Sequence, residues 1–164
     1  MVLGLSLAVS LWMAAAVSAT GPGGWDHLGT GAASSGAALN GRVDVLASVP
    51  HFGAIPDSVY AGGVFTSAGG STSAVAVARW DGSAWHSIGA PPISTAAGAG
   101  VDAIAVDRVT GKVYVGGNFT NAGGNPNADF LAVWDGASWK SFCAPITANV
   151  KALQIIGRTL YIGG

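Results

Sequence analysis

One module is written twice in this chain and then opened a third time. The first copy runs from Val59-Tyr60-Ala61-Gly62-Gly63-Val64-Phe65-Thr66 through Trp80-Asp81-Gly82 to Trp85 and Pro91. The second runs from Val113-Tyr114-Val115-Gly116-Gly117-Asn118-Phe119-Thr120 through Trp134-Asp135-Gly136 to Trp139 and Pro145. Aligned without gaps, about 18 of roughly 33 positions are identical, far beyond coincidence in a chain of 164 residues. A third copy opens at Leu160-Tyr161-Ile162-Gly163-Gly164. A repeat on this scale constrains the fold class more than any other feature of the sequence, because one supersecondary unit must be used again and again.

Strand signals recur in a fixed order. Segment a covers 43–46, 101–106 and 150–153; segment b is the Val-Tyr-x-Gly-Gly run; segment c covers 74–80 and 129–134; segment d covers 85–89 and 139–143. Each is short, rich in β-branched and aromatic residues, and bounded by turn formers. Asp81-Gly82 and Asp135-Gly136 join c to d, where Gly supplies the positive φ of a tight hairpin. Thr110-Gly111 and Pro56-Asp57 turn a into b, and Ser67-Ala68-Gly69-Gly70 and Asn121-Ala122-Gly123-Gly124 open the longer b-to-c loops. Four strands joined in sequence make a meander, and the spacing of about 54 residues from Tyr60 to Tyr114 falls in the range of propeller blades. The prediction is an all-β chain: a partial β-propeller of four-stranded antiparallel meander blades, about two full blades plus pieces.

The apolar pattern points the same way. Trp85 and Ile88 are three residues apart, as are Trp139 and Phe142, and Trp25 and Leu28. An odd offset on a strand places the two side chains on opposite faces. A blade is covered on both faces by its neighbours, so apolar residues on both sides are expected. The Gly-Gly doublet lies in mid-strand, where glycine is used for a bulge or a close backbone approach.

The ends of the chain carry their own signals. An apolar run over 3–17 followed by Val17-Ser18-Ala19 reads as a secretory signal peptide over 1–19, with a membrane anchor as the alternative. No Lys or Arg precedes the run, and it is shorter than the roughly 20 residues that span a bilayer. Gly24-Trp25-Asp26-His27-Leu28-Gly29 matches segment d, which predicts a lone strand over 24–29 that would complete the sheet of a last blade. The expected organisation is therefore a signal peptide, then an incomplete propeller over 20–164 with blades at 43–91 and 101–145 and a partial blade at 150–164. Two blades and a piece do not close a ring, which needs at least about four. The chain is expected to be the front of a longer protein, or else to close by association of copies.

Composition narrows the function classes. Only 9% of residues are charged, Glu is absent, and the formal net charge is -1. No basic stretch offers the footprint of nucleic-acid binding. Cys143 is the only cysteine, so no disulfide can form within the chain, and it reads as a small apolar residue rather than a nucleophile.

Tyr-x-Gly-Gly on strand b, then Trp-Asp-Gly-x-x-Trp across the c–d hairpin and a following Pro, resembles the repeats of kelch and galactose-oxidase-like propellers. The closer likeness is to the Gly-Gly-x-Phe-x-x-Ala-Gly-Gly repeats of secreted bacterial propellers, and fungal cortical polarity markers carry a related pattern. The resemblance spans about 24–164 and implies architecture more than activity, since these repeats serve many roles. The copper site of galactose oxidases has no matching motif here. The Trp-Asp pairs do not make a WD repeat, because the period is too long and the Asp is explained by its turn.

Residues shared by both copies read as scaffold: Tyr60, Tyr114, Trp80, Trp134, Asp81 and Asp135. His27 and His86 do not occupy equivalent positions, and Lys140 replaces His86 in the next copy. No metal set is assembled by these spacings, and no catalytic residue or cofactor is assigned. The weak exception is the loop at 121–129, whose Asn121, Asn125, Asn127 and Asp129 are oxygen ligands suited to Ca²⁺, although their spacing is not that of an EF-hand. Asn118-Phe119-Thr120 is an N-glycosylation acceptor pattern. With eight acidic residues, all Asp and several spent on turns, a glycosidase pair cannot be placed.

The expected function is a secreted or cell-surface β-propeller that binds or scaffolds a protein or polysaccharide ligand and is not an enzyme. No nucleic acid and no membrane span beyond the signal segment are expected. The alternatives are the N-terminal part of a propeller enzyme whose active site lies in further blades, or a structural adhesin-type array.

Overall fold

The computed structural model describes residues 39–50, 57–93, 98–142 and 146–164. The expected signal peptide, the expected strand at 24–29, and Cys143 lie outside the described residues. The described chain is all-β, with a single 3-10 turn at Ala122–Gly124.

The meander forms twice. β1 (Arg42–Val49), β2 (Ser58–Val64), β3 (Val77–Trp80) and β4 (Trp85–Ser87) make one four-stranded sheet in that order. β5 (Val101–Val106), β6 (Val113–Gly117), β7 (Leu131–Trp134) and β8 (Trp139–Ser141) make a second with the same order. β9 (Ala152–Ile156) and β10 (Thr159–Gly163) pair as a hairpin. Every pairing is antiparallel, and the two full sheets share one register: Val59 opposes Trp80 as Val113 opposes Trp134, and Trp80 opposes Trp85 as Trp134 opposes Trp139.

The sheets stack through segments a and b. β1 and β2 pack on β5, and β5 and β6 pack on β9. The glycine doublet makes this possible. A Cβ on Gly62 would meet Val101 Cγ1 at 2.6 Å and Ile104 Cδ1 at 3.0 Å, both on the next sheet. A Cβ on Gly116 would meet Val150 Cγ1 at 2.5 Å and Leu153 Cδ1 at 3.4 Å, the same two repeat positions one sheet further on. The second glycine of each pair lies against backbone instead: a Cβ there would strike the carbonyl oxygen of Arg42 at Gly63 and of Gly100 at Gly117. Opposite each doublet the partner strand is bulged, between Val43 and Val45 and between Val101 and Ala103. Both uses of mid-strand glycine, bulge and close approach, are thus present at one place.

The core is divided by the first sheet. Trp85 sits with Ala61, Phe65, Ala74 and Ala78 on one face, whereas Ile88 sits with Ile93, Val101, Ile104, Phe119 and Trp139 on the other. The three-residue offset between Trp85 and Ile88 does place them on opposite faces. Completely burying Phe119, Ile93 or Leu131 stabilises the fold by roughly 1.5–3 kcal/mol each. The two tryptophans of each hairpin meet at ring-centroid distances of 5.5 Å, tilted by 57° and 55°.

The c–d turns are longer than a two-residue hairpin. Asp81-Gly82-Ser83-Ala84 separates Trp80 from Trp85, and Gly82 has φ 99°. Asp81 Oδ1 accepts from the backbone N–H of Ser83 at 2.8 Å and of Ala84 at 2.9 Å, and Asp135 Oδ1 accepts likewise from Ala137 and Ser138. These bonds hold the Asp81 carboxyl far below its ordinary range, with Ala84 the largest contributor, and hold Asp135 down through Ser138 first.

Candidate functional site

A groove of about 500 Å³ opens where segment a of all three units comes side by side. Ser48 and Val49 at the end of β1, 104–109 at the end of β5, and 153–155 of β9 line it. A second hollow of about 250 Å³ adjoins it and shares Asp107, Val109, Ile155 and Gly157 while adding Thr110, Tyr114 and Arg158.

Asp107 organises this region. It is the first residue after β5, and its Oδ1 accepts from the N–H of Val109 at 2.9 Å and of Thr110 at 3.3 Å. Oδ2 accepts from the Thr110 hydroxyl at 2.5 Å. Gly111 then takes φ 71°, a conformation side chains resist, and its N–H reaches the Asp107 carbonyl oxygen at 2.8 Å. The turn therefore fixes Arg108 and Val109 at its tip, with Val109 82% exposed. The Thr110 hydroxyl, the turn N–H groups and the Lys112 charge together lower the Asp107 pKa. Burial, and then the Asp107 charge, raise that of Tyr114. At neutral pH the groove thus offers an ionised carboxylate occupied by its own turn, a neutral phenol, the cations Arg108 and Arg158, and the uncharged donors Ser48 and Gln154. It can hydrogen-bond a hydroxyl-rich or anionic ligand along an apolar floor of Ile104 and Ile155.

The loop at 121–129 folds on itself. Asp129 Oδ1 accepts from the Asn121 N–H at 2.7 Å, and Asn125 Oδ1 from the Asn127 N–H at 3.0 Å. Asn121 takes φ 53° at the entry to the 3-10 turn. Two of the four candidate Ca²⁺ ligands thus already serve the loop's own backbone. Among the described residues no group of three or more His, Cys, Asp or Glu is placed to hold a metal ion. Asn118, half-buried, accepts from the Gly100 N–H through Oδ1 at 2.6 Å, so the glycosylation-pattern residue also ties the end of β6 to the start of β5.

His86 and Lys140 share a role that their mismatch in type conceals. His86 Nε2 lies 2.5 Å from Asp81 Oδ2, and Lys140 Nζ lies 3.8 Å from Asp135 Oδ2. Each follows the first residue of its d strand and faces the turn carboxylate. His27 and His51 lie outside the described residues. Sequence reasoning missed the Asp107 turn as an organiser, although Asp-x-x-Thr-Gly at the end of an apolar strand is a readable turn signal.

Among the described residues no helix is long and apolar enough to cross a membrane. Compared with known protein families, curated proteins and solved structures, the chain gives no match.

Proposed function

We propose that this chain is part of a secreted or cell-surface β-propeller that binds polysaccharide, with the groove between the a segments as its ligand face. The observation that carries the reading is the convergence of β1, β5 and β9 on one polar-rimmed groove. The repeated meander, the repeated sheet-on-sheet contact and the kelch-like residue pattern support the propeller. The apolar run before Ala19 supports export. The mixture of Arg108, Arg158, Gln154, Ser48 and Tyr114 suits sugar hydroxyls and acidic sugars better than an apolar peptide, and a protein ligand is the competing reading within the same binding role.

The test is affinity electrophoresis and calorimetry against neutral and acidic polysaccharides, with wild type and an Arg108→Ala/Arg158→Ala double variant. Binding that weakens by at least about tenfold in the variant is expected if both cations touch ligand. Binding unaffected by the double variant would move the ligand elsewhere. No binding to any polysaccharide, with capture of a protein ligand that the double variant abolishes, would replace the sugar by a protein at this groove.

A further inference from the structure

Carboxylates and cations are used differently in this chain. The carboxylates of Asp44, Asp81, Asp102, Asp107, Asp129 and Asp135 all accept hydrogen bonds from within the chain. The seven Lys and Arg side chains divide into two groups. Arg42, Lys140 and Lys151 pair with Asp44, Asp135 and Asp102, and Arg79 donates to the Ser58 hydroxyl. The side chains of Arg108, Lys112 and Arg158 make no hydrogen bond or ion pair among the described residues. All three belong to turns that join segment a to segment b. Arg108 and Lys112 lie between β5 and β6, and Arg158 lies between β9 and β10.

The place of these turns gives the unpaired charge a direction. Arg108 lines the groove between the a segments, and Arg158 lines the hollow that adjoins it. Among the described residues Asp107 is the one carboxylate lining either, and its two oxygens already accept from Val109 and Thr110. Three cations with open donors against one carboxylate engaged by its own turn leave a positive excess at the mouth of the groove. The exposure of the 108–112 turn does not come from an uncovered sheet face. The second sheet has neighbours on both faces, and Arg108 and Lys112 are exposed all the same. The Asp107 bonds hold this turn in one shape, so little backbone freedom is lost when a ligand binds it. A guanidinium on such a turn presents a planar fork of donors that matches an oxyanion with two oxygens to offer.

We infer that the ligand of this groove is an anionic polysaccharide, whose carboxylate or sulfate groups are bound by Arg108, Lys112 and Arg158. The inference rests on the polysaccharide reading and adds the charge of the ligand to it. A sugar chain that carries an anion at every residue reaches both turns at once, whereas an uncharged chain leaves the three cations to water. An exposed ion contact contributes about two- to threefold in affinity, so three contribute about tenfold or more. Because the contacts are exposed, salt screens them.

The test is calorimetric titration of the full chain with matched polymers that differ in charge alone: polygalacturonate against its methyl ester, and dextran sulfate against dextran. At about 50 mM salt at least one charged polymer should bind about tenfold or more tighter than its uncharged counterpart, and the gap should close towards about 0.5 M. The pair that shows the gap tells carboxylate from sulfate. In the triple variant Arg108→Gln/Lys112→Gln/Arg158→Gln the gap should disappear, with binding of the uncharged polymer reduced much less, since Gln keeps N–H donors without the charge. None of the three side chains bonds within the described chain, so circular dichroism and the melting curve of the variant should match wild type. Charged and uncharged polymers bound equally by wild type overturn the inference and leave the polysaccharide reading standing. A gap that persists in the triple variant also overturns it, because the anion then sits elsewhere. Absence of binding to all four polymers removes the polysaccharide reading and the inference with it, and salt-sensitive binding of polyaspartate alone would replace the sugar by an acidic protein segment.

Discussion

Replacing Gly116 and Gly163 by alanine separates the receiving role of the doublet from its strand role. Both residues are the first glycine of a doublet on segment b. At Gly116 the new methyl carbon would lie 2.5 Å from Val150 Cγ1 and 2.9 Å from Val150 Cβ. Val150 is 2% exposed and β-branched, so its side chain has little room to rotate away. Overpacking of this kind costs about 1–3 kcal/mol. Alanine also reduces the entropy of the unfolded chain, which returns about 0.4–1 kcal/mol. Gly116→Ala should therefore destabilise by about 0–2.6 kcal/mol, the difference of those terms, with a central value of about 1.3 kcal/mol. At Gly163 the nearest atom is 3.7 Å away, an ordinary contact, so only the entropic gain remains and Gly163→Ala should stabilise by about 0.4–1 kcal/mol. The assay is urea unfolding followed by tryptophan fluorescence. With a slope of about 1–3 kcal/mol/M, the two midpoints should move in opposite directions by a total of about 1 M. Midpoints that move together, or a Gly116→Ala midpoint at or above wild type, would refute the sheet-on-glycine contact.

Other outcomes follow from the same geometry. Trp139→Ala should cost about 3–5 kcal/mol by thermal or urea unfolding, whereas Trp139→Phe should cost distinctly less, because the buried Trp139 Nε1 has no hydrogen-bond partner among the described residues to lose. Asp81, Asp107 and Asp135 all have folded pKa values below the unfolded value near about 4, so their contribution is complete above that pH and is lost as the pH falls through the lower folded values. The melting temperature should accordingly fall below about pH 4, with a shallower acid limb in Asp81→Ala than in wild type. Millimolar Ca²⁺ or EDTA should leave the melting temperature unchanged, since Asp129 and Asn125 already accept bonds inside their loop; a rise reversed by EDTA would assign a cation to 121–129.

Much of the fold is legible because the sequence states it more than once. Segment a at 101–106 coincides with β5, and the c and d segments contain β3, β4, β7 and β8. Comparison of copies also reads the tryptophan pairs and the turn aspartates as scaffold, and their contacts are local to the hairpin: each pair meets in a tilted contact across it and each aspartate accepts from the turn between them. Less legible were features that leave no residue-type signature. Ala76 and Phe130 occupy equivalent positions and both take positive φ, 60° and 59°, where glycine would be expected. The conformation is imposed from outside: each donates its N–H to Phe65 or Phe119 and accepts from Gly63 or Gly117. The groove was hidden for a related reason. Its lining comes from three copies at once, and neither strand period nor motif spacing says how sheets sit against one another.

The unit-by-unit contact has a thermodynamic consequence. A sheet that touches only its neighbours along the chain makes stability a sum of local terms and junction terms, as in a linear array. Among the described residues the second sheet has junctions on both sides, while β9–β10 is held by one junction and its own short hairpin. Opening should therefore begin at β9–β10, at a free energy below that of global unfolding. Amide exchange should grade along the described strands, slower in β5 and β6 than in β10, and denaturant should release the β9–β10 hairpin before the tryptophans report any change.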